Sequence, residues 1–128
     1  MRFRKYAGVW LGVSLSLVLT TAALAGTITG SISNAGPGWN SPIYHANSQY
    51  FDIRYCRSSD STLWFDAMHH WPAFPSTGTH KQMTYCYNNS TWRTLFWDNP
   101  GWADYSIEYV KSSAYNQATI SASYRIRY

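Results

Sequence analysis

The residues able to do chemistry are few and scattered. Four histidines, His45, His69, His70 and His80, are the first candidates for metal or acid–base work. Adjacent His69 and His70 would point to opposite faces of an extended chain, and neither an HExxH motif nor Cys/His pairs at zinc spacing are present. They read as polar loop histidines, and no metal or cofactor is expected. A glycosidase would need two carboxylates at a controlled separation. Asp52, Asp66 and Glu108 fall inside strand-like segments, but the favoured reading of Asp52 and Asp66 is cross-strand pairing with Arg54 or Arg93 on a solvated face. The many serines form no GxSxG or SxxK arrangement, and no glycine pattern suits phosphate. These residues argue against an enzyme.

The aromatic residues are the other chemical resource. The chain holds 7 Trp, 11 Tyr and 5 Phe. Trp39, Trp71, Trp97 and Trp102 lie in or beside turn-like stretches. In Trp97-Asp98-Asn99-Pro100-Gly101-Trp102, two indoles flank a turn with amide and carboxylate groups between them. Flat rings with Asp and Asn suit stacking and hydrogen bonding to sugars, and aromatic loops also seed protein interfaces. The expected ligand-binding residues are Trp97, Asp98, Asn99 and Trp102. The competing reading makes the indoles core.

The first 25 residues are read as an export signal. Arg2, Arg4 and Lys5 are followed by an apolar run from about Ala7 to Leu19 and by the small-x-small sequence Ala23-Leu24-Ala25. Cleavage there leaves residues 26–128 as one secreted domain, with no stable membrane insertion. Three of the ten basic residues belong to the signal, so the remainder has seven Lys and Arg against six Asp and Glu. That balance, with the basic residues scattered, argues against nucleic acid. Cys56 and Cys86 both follow the signal, and in an exported protein the expected state is a disulfide between them.

The elements that must position these groups are strands. After the signal only Leu63 and Leu95 remain of the leucines, while aromatic residues, Ile and Thr abound, which favours pleated surfaces over helices. Period-two alternation predicts strands over 27–33, 49–57, 62–68, 81–87, 91–97, 103–111 and 118–128. Trp39 to Ser48 reads as a loop. Pro100-Gly101 suits a type II turn between two strands. Cys56 and Cys86 each fall on the more polar face of a strand. Seven strands at about ten-residue spacing imply an all-β protein, an antiparallel sandwich or small closed barrel. The expected function is a secreted, non-enzymatic binding or interaction module, with a glycan or cell-surface component as ligand class. The alternative is a small secreted antimicrobial, bacteriocin-like protein. The alternating C-terminus also suits the last strand of an outer-membrane barrel, but the strands are too short and too interrupted for one.

Overall fold

The computed structural model describes residues 26–70, 77–84, 86–113 and 118–128. The regular elements among them are six strands: β1 (Thr27–Ala35), β2 (Tyr44–Ser58), β3 (Leu63–His70), β4 (Thr77–Met83), β5 (Arg93–Ser112) and β6 (Ile120–Arg127). They form one antiparallel sheet in the order β1-β6-β2-β5-β3-β4. The chain is therefore all-β and antiparallel, as its alternation implies. The proposed export signal, residues 1–25, lies outside the described residues, and so does Trp71.

The segments expected at 91–97 and 103–111 fall in one strand. Asp98 pairs with Ser48 and Ala103 with Ala46, so residues 99–102 bulge out opposite Asn47 alone. Pro100 has no N–H to donate to a ladder, and Gly101 sits at φ 91°, where a side chain would be strained. The expected reversal at Pro100-Gly101 is thus a bulge, and β5 runs on through it.

This length lets β5 serve two layers. It pairs with β2 along residues 93–105 and with β3 along 104–112. Phe51 of β2 meets Phe65 of β3 at 4.9 Å between ring centroids, although β5 lies between those strands in the sheet order. The sheet folds over on itself and encloses a core. Residues 38–41 close one end against β5. Gly38 N–H donates to Tyr109 O at 2.8 Å and Ser41 N–H to Ile107 O at 2.8 Å. The core holds Phe51, Ile53, Leu63, Phe65, Ile107, Tyr109, Ile120 and Ile126. Each such side chain is worth about 1.5–3 kcal/mol of burial, so aromatics and Ile supply what Leu does not.

Other boundaries also differ from expectation. β2 begins at Tyr44 inside the expected loop, because pairing with 103–105 recruits a segment whose own residues favour turns. β3 continues to His70, and β4 spans Thr77–Met83 rather than 81–87. The disulfide is present, with Cα atoms 5.0 Å apart, but Cys56 faces inward. Tyr55, at φ 51°, occupies a bulge where the β2–β6 register shifts. Alternation flips there, leaving Tyr55 exposed and Cys56 buried. Backbone bonds from Tyr55 N–H to Asn89 O and from Cys56 N–H to Tyr87 O bring the Cys86 segment alongside. Closing a loop of this length contributes about 3–4 kcal/mol.

Candidate functional site

Period-two alternation sends one set of β2, β5 and β6 side chains to the core and the other to the outside, and register lines up the outer set in rows. Arg125 of β6, Asp52 of β2 and Thr94 of β5 share one row. Arg127, Tyr50 and Phe96 share the next. Ser123 and Arg54 lie on the other side of the Asp52 row, with Trp92 just before β5.

Asp52 organises these rows. Its side chain is fully buried, and it accepts hydrogen bonds from Arg125 Nε at 2.7 Å, Arg127 Nε at 2.7 Å and Thr94 Oγ1 at 2.6 Å. Burial alone would raise its pKa, but the bonds from Arg127, Thr94 and Arg125 outweigh burial and hold the carboxyl below its usual range. The expected partners were Arg54 or Arg93. Instead β6 supplies both, because β6 pairs with β2 throughout this stretch.

The arginines also lie on aromatic faces. The guanidinium carbons of Arg54 and Arg125 are 4.3 and 4.4 Å from the Trp92 ring centre, and that of Arg127 is 4.6 Å from Tyr50. Tyr50 in turn packs on Phe96 at 4.6 Å. Such contacts are worth about 0.5–2 kcal/mol each, and they hold the long side chains flat rather than extended into solvent. Three guanidiniums around one carboxylate leave the face positive, and among the described residues no carboxylate pairs with Arg54.

The face continues at both ends. Beyond Arg54, Ser31, Ser121, Ser123, Tyr55, Arg57 and Asn88 line an open cleft of about 380 Å³. In the other direction Asp98 accepts a hydrogen bond from Ser48 Oγ at 3.1 Å. Past the 99–102 bulge, Trp102 is 62% exposed and stacks on His45 at 5.7 Å. His45 Nδ1 lies 2.8 Å from Asp104.

No family model, curated protein or solved structure matches the chain.

The four expected ligand-binding residues are thus divided. Trp102 and Asp98 are exposed at one end of the outer surface. Trp97 is 2% exposed and belongs to the core, as strand alternation between Phe96 and Asp98 requires. The Asn99 side chain lies outside the described residues. Trp92, Tyr50, Arg125 and Arg127 were not singled out in the sequence, and Arg54 only as an expected partner of Asp52 or Asp66. Alternation did place Arg125 and Arg127 on the polar side of their strand, but nothing local named Asp52 as their partner.

Asp66, His80 and Glu108 form a second cluster on the outside of β3, β4 and β5. Asp66 lies opposite both His80 and Glu108. His80 Nε2 is 2.9 Å from its carboxylate. Burial raises the Asp66 pKa against the pull of His80, and burial together with the Asp66 charge raises that of Glu108. His70 lies 2.8 Å from Ser106 Oγ, and His69 stacks on Tyr105. All four histidines therefore sit in strands rather than loops, His45 in β2, His69 and His70 in β3, and His80 in β4. No group of three His, Cys, Asp or Glu among the described residues is placed to hold a metal ion.

Proposed function

We propose that the chain is a secreted, non-enzymatic binding module for a carbohydrate or cell-surface ligand. The observation that carries this reading is Trp92 with the guanidiniums of Arg54 and Arg125 within 4.3 and 4.4 Å of its ring centre, on a face that runs past Tyr50 and Phe96 toward Trp102. Aromatic planes stack on sugar rings, and guanidiniums pair bidentately with carboxylate, phosphate or sulfate groups. Serine hydroxyls and Asn88 along the adjoining cleft offer hydrogen bonds to a polyhydroxylated ligand. The chemistry favours an anionic polysaccharide over a neutral one. Phe96 lies four positions after Trp92, about 13 Å along a strand, a spacing that suits an extended polymer better than a single sugar.

The same excess of arginine and aromatic groups favours a second reading, an antimicrobial acting on anionic envelopes. Both readings are tested by incubating the secreted protein with acidic polysaccharides, neutral polysaccharides and live bacteria. Retention on acidic polysaccharide that weakens with salt, without growth inhibition, supports the binding module. Growth inhibition by the folded protein favours the antimicrobial. Equal retention on neutral polymers argues against the charged face.

A further inference from the structure

We propose that two copies of this chain join edge to edge through β1, in an antiparallel two-fold pairing centred on Gly30. β1 is the terminal strand of the sheet. Gly26 and Tyr128 exchange both backbone hydrogen bonds. Because bonding direction alternates along a strand, residues 28, 30 and 32 then bond toward β6, while Thr27, Thr29 and Ser31 turn their N–H and C=O groups to the open edge. Among the described residues no strand pairs with that edge.

Edge strands are ordinarily protected by charge, proline or a covering segment. β1 reads Thr-Ile-Thr-Gly-Ser-Ile-Ser over residues 27–33, with no charge and no proline. The opposite edge strand, β4, carries His80 and Lys81. The β1 sequence also reads nearly the same in both directions about Gly30. Antiparallel self-pairing on that centre sets Thr29 against the partner copy's serine at 31, Ile28 against isoleucine at 32, and Thr27 against serine at 33. Hydroxyl then meets hydroxyl and isoleucine meets isoleucine, which are favourable cross-strand pairs.

Bonding parity agrees with this register. The residues whose backbone groups face outward, 29 and 31, are the ones that would exchange hydrogen bonds. Gly30 would meet its own copy in the non-bonded position, where chains approach most closely. A side chain at 30 is already excluded on the core side, because an added Cβ would lie 2.6 Å from the Tyr124 hydroxyl. The result is an isologous two-fold interface that joins two sheets into one and uses up the open edge.

Two double variants test the register. Thr29 and Ser31 are exposed, and Thr29 lies opposite Arg125, so T29E leaves the monomer fold with a favourable neighbour. In T29E/S31E, each glutamate at 29 would face a glutamate at 31 across the axis. In T29E/S31K it would face a lysine. Sedimentation equilibrium of the secreted protein should give twice the monomer mass for the wild type. It should give the monomer mass for T29E/S31E, with unchanged near-ultraviolet circular dichroism, and twice the monomer mass again for T29E/S31K. A monomeric wild type overturns the proposal. So does the same mass for both variants, because no β1 pairing in this register treats them alike.

Discussion

Asp52 of β2 and Arg127 of β6 meet diagonally. The register sets Arg127 opposite Tyr50 and Asp52 opposite Arg125, yet Arg127 Nε and Nη2 lie 2.7 and 2.9 Å from the two carboxylate oxygens of Asp52. Arg125 stays in its own row and also reaches Asp52. One buried carboxylate therefore orients both arginines and, through them, the rings of Trp92 and Tyr50.

Asp52→Asn should lower stability by about 2 kcal/mol, the scale of hydrogen bonds to a charged group, read from urea unfolding at neutral pH. Its sign with pH is set by the lowered pKa. The carboxylate's contribution is complete above the ordinary value of 3.8 and is lost as pH falls through it toward the lower folded value. The gap between wild type and Asp52→Asn should accordingly close in acid. A gap that widens in acid would contradict the assignment.

Glu108 carries the opposite sign. Its pKa is raised by burial and by Asp66, so its ionisation costs stability as pH rises from 4.5 through the folded value. Asp66 on β3 faces it from one side, with His80 of β4 beyond, and Asn40 faces it from the other. Glu108→Gln should match wild type at about pH 4 and exceed it at pH 7 by about 0.5–1 kcal/mol, the size of a like-charge cross-strand penalty. A variant that loses more stability at pH 7 than at pH 4 would show that Glu108 is held by a favourable partner.

Trp97 and Trp102 should separate in stability. Trp97 is buried and Trp102 is 62% exposed. Trp97→Ala should cost about 3–5 kcal/mol, and Trp102→Ala less than about 0.5 kcal/mol, measured as shifts in denaturant midpoint. Equal losses would place both indoles in the core.

These contrasts mark what the sequence could disclose. β6 is legible throughout, because Ile120 to Arg127 alternate without interruption and their burial alternates in step. Alternation fails at the bulges. Tyr55 reverses the parity that put Cys56 on the polar face, and residues 99–102 turn an expected reversal into a bulge, since a local pattern cannot say which strand pairs with which. The candidate face was half visible. Alternation sets Asp52 and Arg54 on one face of the strand expected over 49–57, but Arg125 and Arg127, the partners of Asp52, lie some seventy residues on, and only the sheet order brings them together. Trp97 was misleading for a simpler reason: a tryptophan beside Asp-Asn-Pro-Gly looks like a turn residue, whereas its parity within β5 turns it inward.

On the proposed reading, the outer surface from Trp92 to Trp102 binds ligand. The most direct test of that reading is the affinity of the Trp92→Ala, Trp102→Ala and double variants for an acidic polysaccharide that the wild type retains, measured by calorimetry. Each single substitution should weaken binding by about tenfold, or about 1.4 kcal/mol, as truncation of an aromatic anchor does, and the double variant should weaken it further while staying folded. A folded double variant that binds with wild-type affinity, or a wild type that retains no acidic polysaccharide, would contradict the account.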